Sequence, residues 1–498
     1  MNIVEHVERG ARLCPERVAL RAGDTTWTYA DLDDTAGRLG AWLRSEGVTE
    51  GDRVALRLPN TPSFVLAFLA VLKAGAVAVP LSTRIAVDEV EHILGDSTPV
   101  LLLTTASLTA GPVPGAGERP GCRRVLLPER GDRADFAALV ENRTAITAAD
   151  RAPDDPAMLV YTSGTTGRPK GAVLTHHNVV SNTRAKVRCT GLTGADRVLL
   201  FLPLYHCYGL NAVLNASFAA HATVVLLPGF DRGRCLGAIK DERVTAVFAV
   251  PSVYRVLLDA LVAPEDLAGV RYFMSAGAPL PITTQQAWRD RFGLVINEAY
   301  GLTETSPFAC YNHERRHKVG SVGSPIEDVE IRAVDPVSGE PRPANATGEL
   351  VVRGPNVMAG YWNDPRATAA VLTDGWFHTG DLGFVDDEGY VFLVDRLNDL
   401  LIVDGHNVYP GEVERVLLEH PDIVDAVVYG RRHEVVGDVV CAGVVVRPGA
   451  SPPHEQLRAF CAARLASFKV PRVLTALDQV PRNATGKPLR RSLSQGIA

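Results

Sequence analysis

Long apolar runs are missing from this 498-residue sequence. The most tempting one, Phe64–Leu72, is closed by Lys73, well short of the roughly 20 residues that span a bilayer, so no membrane span is expected. Met1–Gly10 carries Glu5 and Glu8 and no apolar centre, which argues against a secretory signal. No C-x-x-C pair occurs. The eight cysteines, at 14, 122, 189, 207, 235, 310, 441 and 461, are scattered and read as reduced cytosolic thiols rather than a disulfide framework or a zinc site. An excess of positive charge is missing too: 51 basic against 57 acidic residues leave a net charge of −6, with no global field to draw the chain to nucleic acid or anionic lipid. A soluble, cytoplasmic chain is expected.

Lysine is scarce. Only seven of the 51 basic residues are lysine, at 73, 170, 186, 240, 318, 469 and 487, so a lysine retained inside a glycine-rich motif asks for a chemical reason. With 46% hydrophobic and 22% charged residues the composition is globular, and the length suggests two to four domains at about 150 residues each.

Short apolar runs alternate with helical patterns. Val54–Leu58, Val77–Leu81, Val100–Leu103, Met158–Tyr161, Val224–Leu227, Val247–Val250 and Leu294–Asn297 read as buried strands. Thr28–Glu46, Ser63–Lys73, His177–Lys186 and Pro281–Arg291 read as amphipathic helices. This order predicts an α/β fold with largely parallel sheets. From about Gly348 shorter strands and turns take over, with a helix opening at Pro410 and strands near Ala426–Tyr429 and Ala442–Val446. The expected division is a large N-terminal domain of parallel-sheet layers with helices, residues 1–397, and a small mobile C-terminal α+β domain, residues 398–498.

The densest chemical signal is Tyr161-Thr162-Ser163-Gly164-Thr165-Thr166-Gly167-Arg168-Pro169-Lys170-Gly171. Glycines let backbone N–H groups approach an anion, hydroxyls add donors and lysine adds charge, which together make a polyphosphate cradle. It is not a Walker A loop, because Arg168-Pro169 separates Gly167 from Lys170. Further motifs follow in order: Ser275-Ala276-Gly277-Ala278-Pro279-Leu280, Tyr300-Gly301-Leu302-Thr303-Glu304-Thr305, Trp376-Phe377-His378-Thr379-Gly380-Asp381, Asp395-Arg396-Leu397-Asn398-Asp399, Gly405-His406-Asn407-Val408-Tyr409-Pro410 and Pro481-Arg482-Asn483-Ala484-Thr485-Gly486-Lys487.

This ordered set, running over essentially the whole chain, resembles the adenylate-forming superfamily and, within it, the acyl-CoA synthetase or fatty-acid–CoA ligase branch. The resemblance implies two half-reactions. A carboxylate attacks the α-phosphate of ATP to give acyl-AMP and pyrophosphate, and the thiol of CoA then attacks the acyl carbon and expels AMP. Lys487 would bridge carboxylate and α-phosphate, and Glu304 would hold Mg²⁺. Thr162 to Gly167 and Lys170 would bind the phosphates, and Tyr300 would lie against the adenine, with Gly277, Ala278, Gly301 and Thr303 beside the nucleotide. Asp381 would accept hydrogen bonds from the ribose hydroxyls with Arg396 near it. Asn398 stands at the domain hinge where related ligases commonly carry Lys or Asp, and Gly405 would let a pantetheine arm pass.

The acid is read from what surrounds it. Phe201–Ala220 contains no acidic residue, so a substrate ammonium would be buried without a counter-charge, which disfavours amino acids. Ala299 stands where malonate-activating relatives typically place Arg, which disfavours a dicarboxylate. An uncharged tail remains. Gly209, Ala212 and Ala299 leave room for one, with Ala276 also expected in the acyl pocket, which favours a medium or long fatty acid, with an aryl or malonyl-type acid as the alternative. His206 would gate the carboxylate end, catalytically or as a satisfied core histidine. CoA and an acyl carrier protein are both open as acceptors, and a luciferase-like oxygenase would share the same motifs.

Overall fold

The computed structural model describes all residues except 109–121, 130, 163–167, 261, 314–315, 404–405, 434–436, 483–487 and 495–498. Helix Tyr29–Ser45 starts where its sequence demands. The Thr28 hydroxyl accepts from the Asp31 N–H, the Asp31 carboxylate accepts from the Thr28 N–H, and Leu32, Ala36, Leu39 and Leu43 bury one face. Helix Pro62–Lys73 departs from the amphipathic expectation: all 12 of its residues are buried. It is apolar all round because packed layers enclose it on every side.

Two large sheets form the N-terminal part. The nine-stranded sheet has the spatial order Ser324–Pro325, Phe308–Tyr311, Ile296–Gly301, Tyr272–Ser275, Ala246–Ala249, Arg197–Leu200, Thr223–Leu226, Val18–Ala22, Thr25–Thr28. From Ile296–Gly301 through Val18–Ala22 every pairing is parallel, as expected for strands linked by crossover helices. The seven-stranded sheet runs Gly360–Tyr361, Lys170–Thr175, Pro156–Thr162, Val77–Pro80, Arg53–Arg57, Leu101–Thr104, Arg123–Leu126. Here the parallel expectation is only partly met. Pro156–Thr162 and Lys170–Thr175 are antiparallel, with Thr162 opposite Lys170, because the glycine-rich string connects them directly as a hairpin and has no room for a crossover.

A five-stranded antiparallel sheet of Glu330–Val334, Gly348–Arg353, Trp376–Val385, Leu372–Thr373 and Val391–Arg396 follows. Beyond it, Leu401–Val403, His406–Val408, Ile423–His433, Gly437–Val446 and Val473–Ala476 make a last sheet, packed by helices Pro410–Leu418 and His454–Ala462. The main apolar core runs from Ile3 to Val391, and a separate cluster runs from Leu401 to Leu474. No helix among the described residues is long and apolar enough to cross a membrane.

Lys73 ends its helix in the core with its side chain 1% exposed, its Nζ 2.7 Å from Glu8 Oε1 and 2.8 Å from Asp33 Oδ1. Two carboxylates offset the cost of desolvating one ammonium, so removing the lysine strands both. Lys73→Ala is expected to destabilise the N-terminal part by about 3 kcal/mol, read as a lower urea midpoint; an unchanged midpoint contradicts the assignment.

Candidate functional site

Three strand ends converge at one end of the nine-stranded sheet. Strand Tyr272–Ser275 leads into Ala276, whose N–H donates to the Ala249 carbonyl at 3.2 Å. Gly277 then adopts φ +85°, and a Cβ there would meet nothing nearer than Val250 Cγ1 at 3.7 Å. The glycine is there for its backbone angle, not for want of space. The other end of this loop is tied down by Glu298, a residue without a role in the sequence reading. Its Oε1 accepts from the Leu280 N–H at 2.9 Å and its Oε2 from Gln285 Nε2 at 3.1 Å. Burial pushes its pKa up to about 8, against the pull of those two hydrogen bonds. Glu298 is therefore protonated at neutral pH. Among the described residues Gln285 Oε1 has no hydrogen-bond partner, and turning that amide over gives it the Glu298 O–H.

Two residues further along the strand, the Tyr300 hydroxyl donates to Asp381 Oδ2 at 2.6 Å. Arg396 Nε lies 3.1 Å from Asp381 Oδ1, and Asp381 and Arg396 are register partners on antiparallel strands. Among the described residues each carboxylate oxygen thus has one side-chain partner and keeps lone-pair capacity for one more, a pair of acceptors side by side that suits a vicinal diol. Burial and the Asp381 charge hold the Tyr300 phenol well above its usual range. The segment before Asp381 is fixed by Glu349, also without a role in the sequence reading. Its Oε1 accepts from the Gly380 N–H at 3.0 Å, and its Oε2 lies 2.8 Å from His378 Nδ1.

On the phosphate side the described residues are the flanks of the loop. Ser163, Gly164, Thr165, Thr166 and Gly167 lie outside them. Thr162 and Lys170 face each other in the hairpin, and Lys170 Nζ stands 5.2 Å from the Tyr361 ring centroid. The Tyr361 hydroxyl donates to Glu304 Oε1 at 2.8 Å, so the lysine and the carboxylate flank one tyrosine. Thr303 and Glu304 sit on the single turn Thr303–Thr305. A Cβ at Gly301 would fall 1.7 Å from the Pro307 carbonyl oxygen, so glycine is obligatory there. No group of three or more His, Cys, Asp or Glu able to hold a metal occurs among the described residues. Glu304 alone fits a hard cation that takes its other ligands from phosphates and water.

The acid side begins at His206. Its Nδ1 accepts from the Tyr208 N–H at 3.2 Å, and the π-helical turn Tyr208–Asn215 follows, a backbone form frequent at functional sites. Cys207 is buried between the two; burial and the Glu304 charge push its thiol up, against the pull of Thr303. The 206–208 segment therefore abuts the 303–304 turn. Ala276 and Ala299 are buried. Gly209 needs a correction: a Cβ there would meet the Pro203 carbonyl oxygen at 2.5 Å and that of Leu202 at 2.9 Å. Backbone occupies the space that the sequence reading gave to an acyl chain. Asn398 lies on the turn Leu397–Asp399, while Gly405 and Lys487 lie outside the described residues.

This geometry can be set beside known proteins. Residues 7–362 match the family model described as AMP-binding enzyme, and residues 412–487 match the AMP-binding enzyme C-terminal domain. The chain belongs to the AMP-binding enzyme family. It is 39% identical to a feruloyl-CoA synthase of Amycolatopsis sp, over 97% of this chain and 96% of that one. It is 34% identical to a long-chain-fatty-acid–CoA ligase of Bacillus subtilis (strain 168), over 96% and 91%. ATP-bound MatB from Rhodopseudomonas palustris superposes with a TM-score of 0.91 at 33% identity, each chain fully covered. Membership of the adenylate-forming superfamily and its CoA ligase branch makes this chain an AMP-forming acid–thiol ligase, and the expected α/β fold with a large first and a small second domain is the one observed.

Glu298 carries a pH signature. Its folded pKa of about 8 lies above the 4.5 of an ordinary glutamate, so its contribution to stability is full below about pH 4.5 and is lost as pH rises through 8. Glu298→Gln is expected to keep the loop and abolish that alkaline loss in a melting series from pH 5 to 9. Glu298→Leu is expected to raise the KM for ATP about tenfold, the effect of roughly 1.4 kcal/mol. A Gln variant that melts with the wild-type pH dependence contradicts the assignment.

Proposed function

We propose that this enzyme uses ATP to activate a carboxylic acid with an uncharged, aromatic tail and transfers the acyl group to CoA. The observation that carries the tail is the set of rings beside the acid-side segments: Tyr208 and Phe308 pack edge to face at 6.0 Å, and the Tyr208 hydroxyl reaches the carbonyls of Ala249 and Met274 at 3.2 and 3.3 Å. Fixed rings favour a flat, rigid tail, which sacrifices little conformational freedom on binding. The feruloyl-CoA synthase relative supports the same class. A medium or long fatty acid, the first expectation from sequence, is the second reading and has the Bacillus subtilis fatty-acid ligase on its side.

The chemistry begins with two anions that repel. Thr162 to Gly167 with Lys170 would hold the phosphates, Asp381 and Arg396 would fix the ribose, and Tyr300 with Gly277 and Ala278 would frame the base. A Mg²⁺ held by Glu304 would supply charge neutralisation on the phosphates. Lys487 would draw the carboxylate oxygen onto the α-phosphorus in a site of low dielectric, as the bond to pyrophosphate breaks. We place the domain division between 397 and 398, which the separate apolar clusters on either side support. Rotation about Asn398 would bring Gly405 to the acyl-adenylate, where a CoA sulfur bonds to the acyl carbon and AMP leaves.

Lys487→Ala is expected to lower acid-dependent pyrophosphate release at least 100-fold, on the order of 3 kcal/mol of transition-state stabilisation. The same variant is expected to convert supplied acyl-AMP and CoA to the thioester at close to the normal rate. Equal loss in both half-reactions contradicts the role given to Lys487.

A further inference from the structure

Lys186 is the second lysine in the core, and it is held quite differently from Lys73. Its residue is 2% exposed, on helix His176–Thr190. Its Nζ lies 4.1 Å from the Phe248 ring centroid, 4.3 Å from the Phe308 centroid and 3.0 Å from Met274 Sδ. Lys73 has two carboxylates within 2.8 Å, but among the described residues Lys186 has no carboxylate at ion-pair distance. Burial drives its pKa well below the ordinary lysine value, with Cys189 opposing, which favours the neutral amine, whose lone pair can accept a hydrogen bond. A buried amine whose one hydrogen bond among the described residues goes to a thioether sulfur is costly to a fold, and leucine or methionine would fill the space without that cost.

The amine's neighbours come from the elements that build the acid side. Met274 stands two residues before Ala276, Phe308 is the register partner of Gly301, and Phe248 lies on the strand that ends at Ala249, whose carbonyl accepts from Tyr208. Phe308 also packs on Tyr208. Met274 is unbranched and polarizable, a contact that can shift aside for an oxygen.

We propose that Lys186 is a specificity-determining residue at the inner end of the acid site, where it accepts a hydrogen bond from a phenolic hydroxyl on the ring of an aryl acid. This rests on the aryl reading above. A phenol is the donor that suits this place: it is flat enough for the flanking rings, and it satisfies the amine without burying a charge. A second carboxylate would have to bring a proton and bury an ion pair among rings. A plain alkyl or phenyl tail would leave the amine without a polar partner.

The test compares kcat/KM for cinnamate, 4-hydroxycinnamate, 4-methoxycinnamate, octanoate and adipate, with wild type and Lys186→Met. Wild type is expected to favour 4-hydroxycinnamate over both cinnamate and its methyl ether by ~10–100-fold, the value of one hydrogen bond to a buried group. In Lys186→Met that ratio is expected to fall to about 1. A wild-type ratio of about 1, or a ratio unchanged in the variant, overturns the proposal while leaving the aryl reading intact. Preference for adipate overturns it in favour of a charged tail. Preference for octanoate over every aryl acid overturns the aryl reading itself. If Lys186→Met fails to fold, Lys186→Gln keeps a polar end, and its ratio is expected to fall between 1 and the wild-type value; the wild-type ratio in any case decides.

Discussion

The Asp381 carboxylate is the point on which the two halves of the site depend. Tyr300 reaches it at 2.6 Å from the end of the parallel sheet, and Arg396 reaches it at 3.1 Å from the last strand before the chain passes into its second core. One side chain thus ties the nine-stranded sheet to the antiparallel sheet, a residue or two before the proposed hinge. The same two oxygens remain open to a diol. A carboxylate held from both sides has a fixed direction, so a bound ribose would be oriented without reorganising the protein.

Beside that joint the chain handles buried ionisable groups in three ways. Lys73 stays charged because Glu8 and Asp33 lie within 2.8 Å of it. Glu298 stays neutral because burial outweighs two hydrogen bonds, and as an acid it still ties the 276–280 loop to the Tyr300 strand. Lys186 is pushed towards its neutral form by burial, with two rings and a thioether sulfur against its Nζ among the described residues. The first arrangement serves stability and the second serves position. The third joins helix His176–Thr190 to the strands that border the acid side. Near Asn398, charge is again gathered at a joint: Arg490 binds Asp399 at 2.8 Å and Glu414 at 2.9 Å, while Asp395 accepts from the Gly411 N–H at 2.6 Å.

Much of this was legible in the sequence because it is contiguous. The glycine-rich string, the Tyr300–Thr305 run and the Asp381 motif each carry their chemistry in six to eleven neighbouring letters, and the strand and helix periodicities fell close to the observed elements. What escaped was held by distance. Glu349 acts on residues 29 and 31 positions away, Tyr361 on one 57 positions away, and Lys186 on one 88 positions away. Lys186 was visible only as one of seven rare lysines. Gly209 was misread for a related reason: a small residue in sequence marks either room for a ligand or close approach of backbone, and only the position of Pro203 decides between them. Helix Pro62–Lys73 is fully buried although it ends in a lysine, because Lys73 finds its carboxylates inside.

The central claim is that this fold joins an acid to the α-phosphate of ATP before any thiol takes part. Exchange of labelled pyrophosphate into ATP, measured with purified protein, Mg²⁺ and an aryl acid but no CoA, tests it most directly. The account predicts exchange that requires the acid, does not require CoA, and gives way to net acyl-CoA and AMP when CoA is added. Exchange without any acid, or thioester formation from ATP with no acid-dependent exchange, would contradict it.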